Sequence, residues 1–389
     1  MPAVQKAVTY LDIDIFCRVI DNFGDAGVMW RLARALRAEG YAVRLIIDDP
    51  TTLCALAGCD SHTPIEKIGS NESIEVCLWE KDWDTASCPL LPASVVIEGF
   101  ACRLPSDYQA KMAKTSPAWF NIDYFSAEDW IENCHLVPSI DPSSGLIKTN
   151  YFPGVTEKSG GLIIEKDYEH NRHRLIFGSG FKADEKDYEH NRHLFLMKQP
   201  KDTNTLRVLF FAYPYGPIEK IAQALCEAKR SIELSVTQCE AGQLLAQAVS
   251  KQINSRVTVN SLPFVSQKDF DHLLWSSDIV FIRGEDSAAR AMIAGVPFLW
   301  HIYHQDDDVH MLKLRALEGR FENCFEDKAL FKKWSQLQEA MNEGEFDPDI
   351  FSDLIDGLDQ WKKASECFSK KIKAIGSLAE KLSEQIKKI

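Results

Sequence analysis

The sequence predicts a doubly wound α/β fold in two domains, and three observations carry that prediction. A short apolar strand runs through a glycine-bearing loop into an amphipathic helix and then a second strand within about forty residues, the signature of a βαβ unit. A second series of such units begins after residue 206. The 389 residues, 45% apolar and 26% charged, are globular material for two domains rather than one.

The first strand is expected at 13–17, I-D-I-F-C. The helix that follows carries Val28, Leu32, Ala35 and Leu36 on one face, the i, i+4, i+7, i+8 stripe of a core-facing helix. Gly40 is placed to end it in the left-handed conformation. Strand 42–47 closes at Asp48-Asp49-Pro50, and strands at 73–79 and 94–98 continue the pattern. The second series reads as a strand at 207–211, a helix at 218–229, and strands at 233–236, 257–259 and 278–282. A helix from Ser287 and a strand at 297–302 complete it, and the tail is helical in composition. The expected division is an N-terminal domain over 1–160, an interdomain segment over 161–205 and a C-terminal domain over 206–361. The helix at 362–389 is expected to pack back on the first domain, and the two domains to face each other across a cleft.

Charge narrows the partners. With 57 acidic against 44 basic residues the net charge is −13, which excludes sequence-independent binding of nucleic acid by phosphate neutralisation. An acidic surface keeps a chain dispersed and steers a basic partner inward. Eleven cysteines lie scattered with no C-x-x-C pair, so reduced thiols of a cytoplasmic protein are expected rather than a disulfide framework or zinc module. No window reaches the roughly 18 apolar residues of a membrane span, and the first ten residues lack a signal-peptide core.

One stretch is unusual. Glu-Lys-Asp-Tyr-Glu-His-Asn-Arg-His occurs at 165–173 and again, letter for letter, at 185–193. A repeat architecture shows three or more degenerate copies, so two perfect ones read as a local duplication. The His170/His173 and His190/His193 pairs lack further ligands at zinc-site spacing. The polar composition predicts a solvated interdomain loop.

Three constellations carry the chemistry. The first is Asp21-Asn22-Phe23-Gly24-Asp25-Ala26-Gly27, where the first strand turns into its helix. Open α/β sheets bind ligands at such strand ends. The loop is neither G-x-G-x-x-G nor a P-loop, and two acids would repel a phosphate. Either acid alone is as readily a helix cap or turn closer as a catalytic group. The second is Arg283-Gly284-Glu285-Asp286-Ser287, ending an apolar strand. A helix start capped by Asp286 or Ser287 would offer amides, a hydroxyl and the Arg283 guanidinium to a diphosphate, with Glu285 accepting from sugar hydroxyls. A capped helix beside a surface arginine is the other reading. The third is aromatic: Phe211, Tyr213, Phe264 and Tyr303 at successive strand ends, able to sandwich a nucleobase whose edge Gln267 would read. Each aromatic alone is more often core. Asp306-Asp307-Asp308 reads as a solvated or capping run, since divalent sites need convergent oxygens that sequence neighbours rarely supply.

Taken together, D-I-F-C-R-V-I-D-N-F-G-D-A-G-V-M-W-R-L-A-R, V-I-E-G-F-A-C-R-L-P, F-S-A-E-D-W-I-E-N-C-H, L-L-W-S-S-D-I-V-F-I-R-G-E-D-S-A-A-R-A and G-V-P-F-L-W-H-I-Y resemble the bacterial protein-arginine rhamnosyltransferases that modify translation elongation factor P. The resemblance runs in order over about residues 12 to 320 and departs chiefly at the duplicated stretch. It implies a GT-B fold, an inverting mechanism and dTDP-β-L-rhamnose as donor. The acceptor would be one arginine of elongation factor P, modified to activate it for ribosomes stalled at polyproline. The resemblance also implies that neither metal nor other cofactor is needed. Residue by residue, it maps the base onto Asp25 with Asp21 beside it. It places Glu285 with the catalytic set, and donor contacts at Phe211, Tyr213, Phe264, Gln267, Arg283, Asp286, Ser287 and Tyr303. A transferase for another nucleotide sugar or a small acceptor, and a non-catalytic nucleotide-sugar-binding module, are the alternative readings.

Overall fold

The computed structural model describes residues 12–20, 23–60, 62–84, 87–142, 144–177, 204–253, 255–305 and 308–389. Contacts among them divide the chain into two compact units: Met1–Phe125, Trp130–Lys166 and Gly376–Ile389 in the first, Ser126–Asp129 and Asp167–Ile375 in the second.

The first unit is built on β1 (Asp12–Cys17), α1 (Phe23–Ala38), β2 (Ala42–Ile47), α2 (Pro50–Ala57), α3 (Ile65–Ile68) and β3 (Ile74–Leu78). It continues with β4 (Val95–Gly99), α4 (Ser106–Thr115), β5 (Ala118–Ile122), α5 (Ile131–Cys134), β6 (Pro138–Ile140) and β7 (Ile147–Tyr151). The strands order as β3-β2-β1-β4-β5-β7-β6 and all pair in parallel except β6 with β7. Alternation along β1 decides which face buries what. Ile13, Ile15 and Cys17 pack with Met29, Ala33 and Leu36 of α1, while Phe16 joins Trp79, Tyr108 and Trp119 on the other face.

The second unit contains α6 (Tyr168–Phe177), β8 (Thr205–Phe210), α7 (Ile218–Glu227), β9 (Ser231–Thr237), α8 (Glu240–Ser250), β10 (Val257–Leu262) and α9 (Gln267–Ser276). Next come β11 (Ile279–Arg283), α10 (Glu285–Ala294), β12 (Phe298–His301), α11 (Val309–Glu322), α12 (Lys328–Asn342), α13 (Pro348–Asp356) and α14 (Leu358–Ile375). Its sheet, β10-β9-β8-β11-β12, is wholly parallel. Both units therefore share one doubly wound order, in which the strand sequence reverses between the first strand and the fourth.

Two expectations are corrected here. The tail is not one helix packing on the first domain: α14 belongs to the second unit, and only α15 (Leu378–Ile386) returns to the first. The break is Gly376 at φ 96°, followed by Ser377 in a capping box with Glu380. Gly161 makes the return possible, because a Cβ there would stand 2.5 Å from the Gly376 carbonyl oxygen. Leu378, Leu382 and Ile386 then join the α1 core, each burial stabilising the unit by about 1.5–3 kcal/mol.

The duplicated peptide is the second correction. Its first copy is not a solvated loop, because Glu165 pairs with the buried Arg31 and the copy then enters α6 with Tyr168 buried. Tyr168 packs edge-on against Trp275 and under the Arg290 guanidinium, an anchor that outweighs the polar residues around it. His170 and His173 are exposed on α6. The second copy, with His190 and His193, lies outside the described residues, as do Asp306 and Asp307.

Candidate active site

In open α/β sheets a ligand crevice forms where the strand order reverses, at the carboxyl ends of the two strands flanking that point. Those positions are the ends of β1 and β4 in the first unit, and of β8 and β11 in the second.

In the first unit, Asp25 sits in the first turn of α1 and is 1% exposed. A capping aspartate accepts from amides two or three residues further on. Asp25 instead accepts from Ile20 N–H at 2.8 Å on Oδ2 and from the Tyr124 hydroxyl at 3.0 Å on Oδ1. The cap reading of Asp25 therefore gives way to a carboxylate gripped through both oxygens, and the positive end of the helix dipole favours its charge. Asp48, at the end of β2, accepts from Val19 N–H at 2.9 Å and pins the same loop. Asp21 lies outside the described residues. Burial, with Cys102 and Asp25 adding to it, pushes the Cys17 thiol well up, so Cys17 is a packed thiol rather than a thiolate nucleophile.

Sequence reasoning did not find Tyr124, 99 positions from Asp25, or its neighbour Phe100. Their signal is topological, for Phe100 follows β4, the neighbour of β1 in the sheet, and Tyr124 follows β5, the next strand along. The two rings stack at 4.2 Å and 14°. Phe100, Ala101 and Arg103 have φ values of 54°, 51° and 59°, left-handed backbone that costs about 1–2 kcal/mol for each non-glycine residue. Buried polar groups hold them there: Ala101 N–H donates to Asn121 Oδ1 at 2.9 Å, and Arg103 N–H donates to Glu98 Oε1 at 2.8 Å. Glu98 is itself paired with Lys148 at 3.0 Å.

In the second unit, the Arg283 guanidinium at the end of β11 lies 4.6 Å from the Phe211 ring centroid and 5.0 Å from that of Tyr213. Phe211 and Tyr213 lie just past β8 rather than within it. Tyr213 meets the exposed Tyr303 edge-on at 5.8 Å. It also donates its N–H to His301 Nδ1 at 3.2 Å. Burial, then the neighbouring Arg283, pushes His301 down to about 4, so the imidazole is neutral and can accept. The structure thus brings together four of the residues singled out in the sequence: Phe211, Tyr213, Arg283 and Tyr303.

Neither Asp286 nor Ser287 caps α10, contrary to expectation. Gly284 holds the cap position at φ 69° and ψ 171°, a region open to glycine, so the turn out of β11 is completed one residue earlier. Its carbonyl accepts from Trp300 Nε1–H at 3.0 Å. Glu285, Asp286 and Ser287 consequently occupy the first turn, where helix amides favour an anion. Glu285 is ion-paired with Lys313 of α11, a residue that sequence reasoning missed. Gln267 is buried at the start of α9, whose Phe270 packs edge-on against Phe211; Phe264 is exposed three residues upstream.

A family model described as Elongation-Factor P (EF-P) rhamnosyltransferase EarP matches residues 13–387. A protein-arginine rhamnosyltransferase of Pseudomonas putida is 38% identical over 341 residues, 83% of this chain and 86% of that protein. One of Neisseria meningitidis is 34% identical over 402 residues, 96% of each chain. Among solved structures, one described as the structural basis for EarP-mediated arginine glycosylation of translation elongation factor EF-P superposes with a TM-score of 0.62 at 26% identity, covering 97% of this chain and 99% of that one. A glycosyltransferase of kitacinnamycin superposes at 0.53 with 10% identity, a likeness of fold alone. The fold is that of GT-B glycosyltransferases.

Proposed function

The chain belongs to the elongation factor P rhamnosyltransferase (EarP) family, and from that premise we propose that it moves L-rhamnose from dTDP-β-L-rhamnose to an arginine side chain of elongation factor P, with inversion. The modification would activate the factor for ribosomes stalled at polyproline, and the compartment is the cytoplasm. No described helix is long and apolar enough to cross a membrane.

The observation that carries the proposal is Asp25, a buried carboxylate gripped through both oxygens in the first turn of α1, the helix that follows β1. A guanidinium has a pKa above about 12 and delocalised lone pairs, so it is a poor nucleophile until a base localises its charge. Asp25 bonded to one nitrogen would orient it toward the anomeric carbon. As the N–C bond forms, the C–O bond to the diphosphate breaks. The electron pair leaves with dTDP and the proton passes to Asp25. A single displacement of this kind inverts the anomeric centre. Asp21 would clamp the guanidinium or steady Asp25.

Departure of dTDP builds charge on the β-phosphate. Arg283, Ser287 and the amides at the start of α10 are the groups suited to stabilise it, and Glu285 to accept from sugar hydroxyls. The thymine would lie among Phe211, Tyr213, Phe264 and Tyr303, with Gln267 reading its edge. With Arg283, Ser287 and the helix amides taking the part that a metal plays elsewhere, the displacement would call for no cofactor.

The test is intact-mass spectrometry of elongation factor P incubated with the purified chain and dTDP-rhamnose, which should show a gain of one deoxyhexose. An unchanged mass would overturn the proposal. Asp25→Asn should abolish turnover while calorimetry shows dTDP still bound; lost binding would move Asp25 to the donor site.

A further inference from the structure

We infer that Tyr124 is a positioning residue for Asp25, held in place by the strained loop after β4. The inference rests on the reading of Asp25 as the base. Tyr124 follows β5 and Phe100 follows β4, and β1, β4 and β5 are consecutive neighbours in the sheet. The three strand ends therefore deliver Asp25, Phe100 and Tyr124 to one place. Phe100 stacks on Tyr124, and the Tyr124 hydroxyl reaches Asp25 Oδ1.

Stability does not account for this arrangement. Tyr124 is 38% exposed, so its ring gains little from leaving water. Yet the loop beneath it keeps Phe100, Ala101 and Arg103 in left-handed backbone with no glycine to ease them. Two carboxyl or amide side chains almost wholly removed from water, Glu98 at 2% and Asn121 at 3% exposure, are committed to holding that loop. The Phe100 amide is fixed as well, donating to the Ile122 carbonyl at 2.8 Å. Strain maintained by buried polar groups and directed at a half-exposed ring is a pattern of functional sites.

What the ring supplies is direction. With Ile20 N–H on one oxygen and Tyr124 O–H on the other, the carboxylate plane of Asp25 cannot turn about its last torsion. The carboxylate is then held in one orientation, and a guanidinium arriving there meets a base already aligned. A helix N-terminus alone would hold an aspartate without fixing that plane. Ile20 supplies its donor by the backbone, which only proline would remove and at the cost of the loop's conformation; Tyr124 supplies the one that a conservative substitution can test.

Tyr124→Phe keeps the stack on Phe100 and deletes only the hydroxyl. It should lower kcat about 10–100-fold, the worth of a hydrogen bond to a charged group, and leave the donor KM and the dTDP dissociation constant unchanged. Phe100→Leu, which keeps the hydroxyl and loses the stack, should lower kcat in the same direction by a smaller factor. Wild-type kcat in Tyr124→Phe would overturn the inference, as would a loss of dTDP affinity in step with kcat, which marks general damage. If Asp25→Asn remains active, the base reading itself fails. If Asp25→Asn is dead and Tyr124→Phe is unimpaired, the inference fails alone.

Discussion

Lys313 of α11 and Glu285 of α10 form an ion pair beside the turn that begins at Arg283. Both side chains are mostly withdrawn from solvent, so the pair is weakly screened and losing one partner leaves a poorly compensated charge. With the diphosphate at this turn as proposed, the Glu285 carboxylate without Lys313 would face it as a like charge.

Lys313→Met should therefore weaken binding of dTDP-rhamnose about tenfold, more at low ionic strength than at high. Glu285→Gln in that background should recover much of the loss for dTDP itself, because the repelling charge is gone. Calorimetry on the single and double variants reads both effects. Equal losses in the two would show that Lys313 contacts the donor directly.

Why Lys313 and Tyr124 escaped sequence reasoning while Asp25 and Arg283 did not is a matter of range. Asp25 and Arg283 are marked locally, each at the junction of an apolar strand and a helix. Strand β2 is equally local, an apolar run between Gly40 and Asp48-Asp49-Pro50, and it falls at the residues expected. Tyr124 and Lys313 matter only through partners brought near by sheet order and helix packing, which no window of the sequence contains. Strands β5 and β7 were missed for a related reason. A-W-F-N-I and I-K-T-N-Y break the apolar pattern with Asn121 and Lys148, and those are the residues that anchor the strained loop, Asn121 directly and Lys148 through Glu98. A polar residue in a strand weakens the strand signal where it does the most for the site.

The first copy of the duplicated peptide yields a prediction of stability. Tyr168 accepts from Trp275 Nε1–H at 2.7 Å, and its ring lies 4.8 Å from the Arg290 guanidinium. Burial pushes the phenol up to about 12, so it stays protonated at any working pH. Tyr168→Phe leaves the indole N–H without that acceptor and should lower stability by about 1–3 kcal/mol. Tyr168→Ala also empties the space over Arg290 and should lose about 3–5 kcal/mol. Urea titration followed by tryptophan fluorescence reads both values. A neutral Tyr168→Ala would return the peptide to the status of a solvated linker.

His301 makes the second unit sensitive to acid. Its imidazole accepts the Tyr213 N–H and is pushed down to about 4, first by burial and then by Arg283, against about 6.5 in an unfolded chain. The unfolded state therefore takes up a proton at a pH where the folded state does not. The stabilisation is fully present above about pH 6.5 and is lost as pH falls toward 4, by up to about 1.4 kcal/mol per pH unit. His135 in the first unit is pushed down to about 4 as well, by burial and then Lys381, and adds a slope of the same sign. His301→Gln keeps an acceptor for Tyr213 and cannot take up that proton. Its unfolding free energy should fall less steeply than the wild type's between pH 6.5 and 4.5, retaining the share due to His135. Denaturant titrations at four pH values measure the difference, and identical slopes in the two proteins would show that His301 takes up its proton alike in the folded and unfolded states.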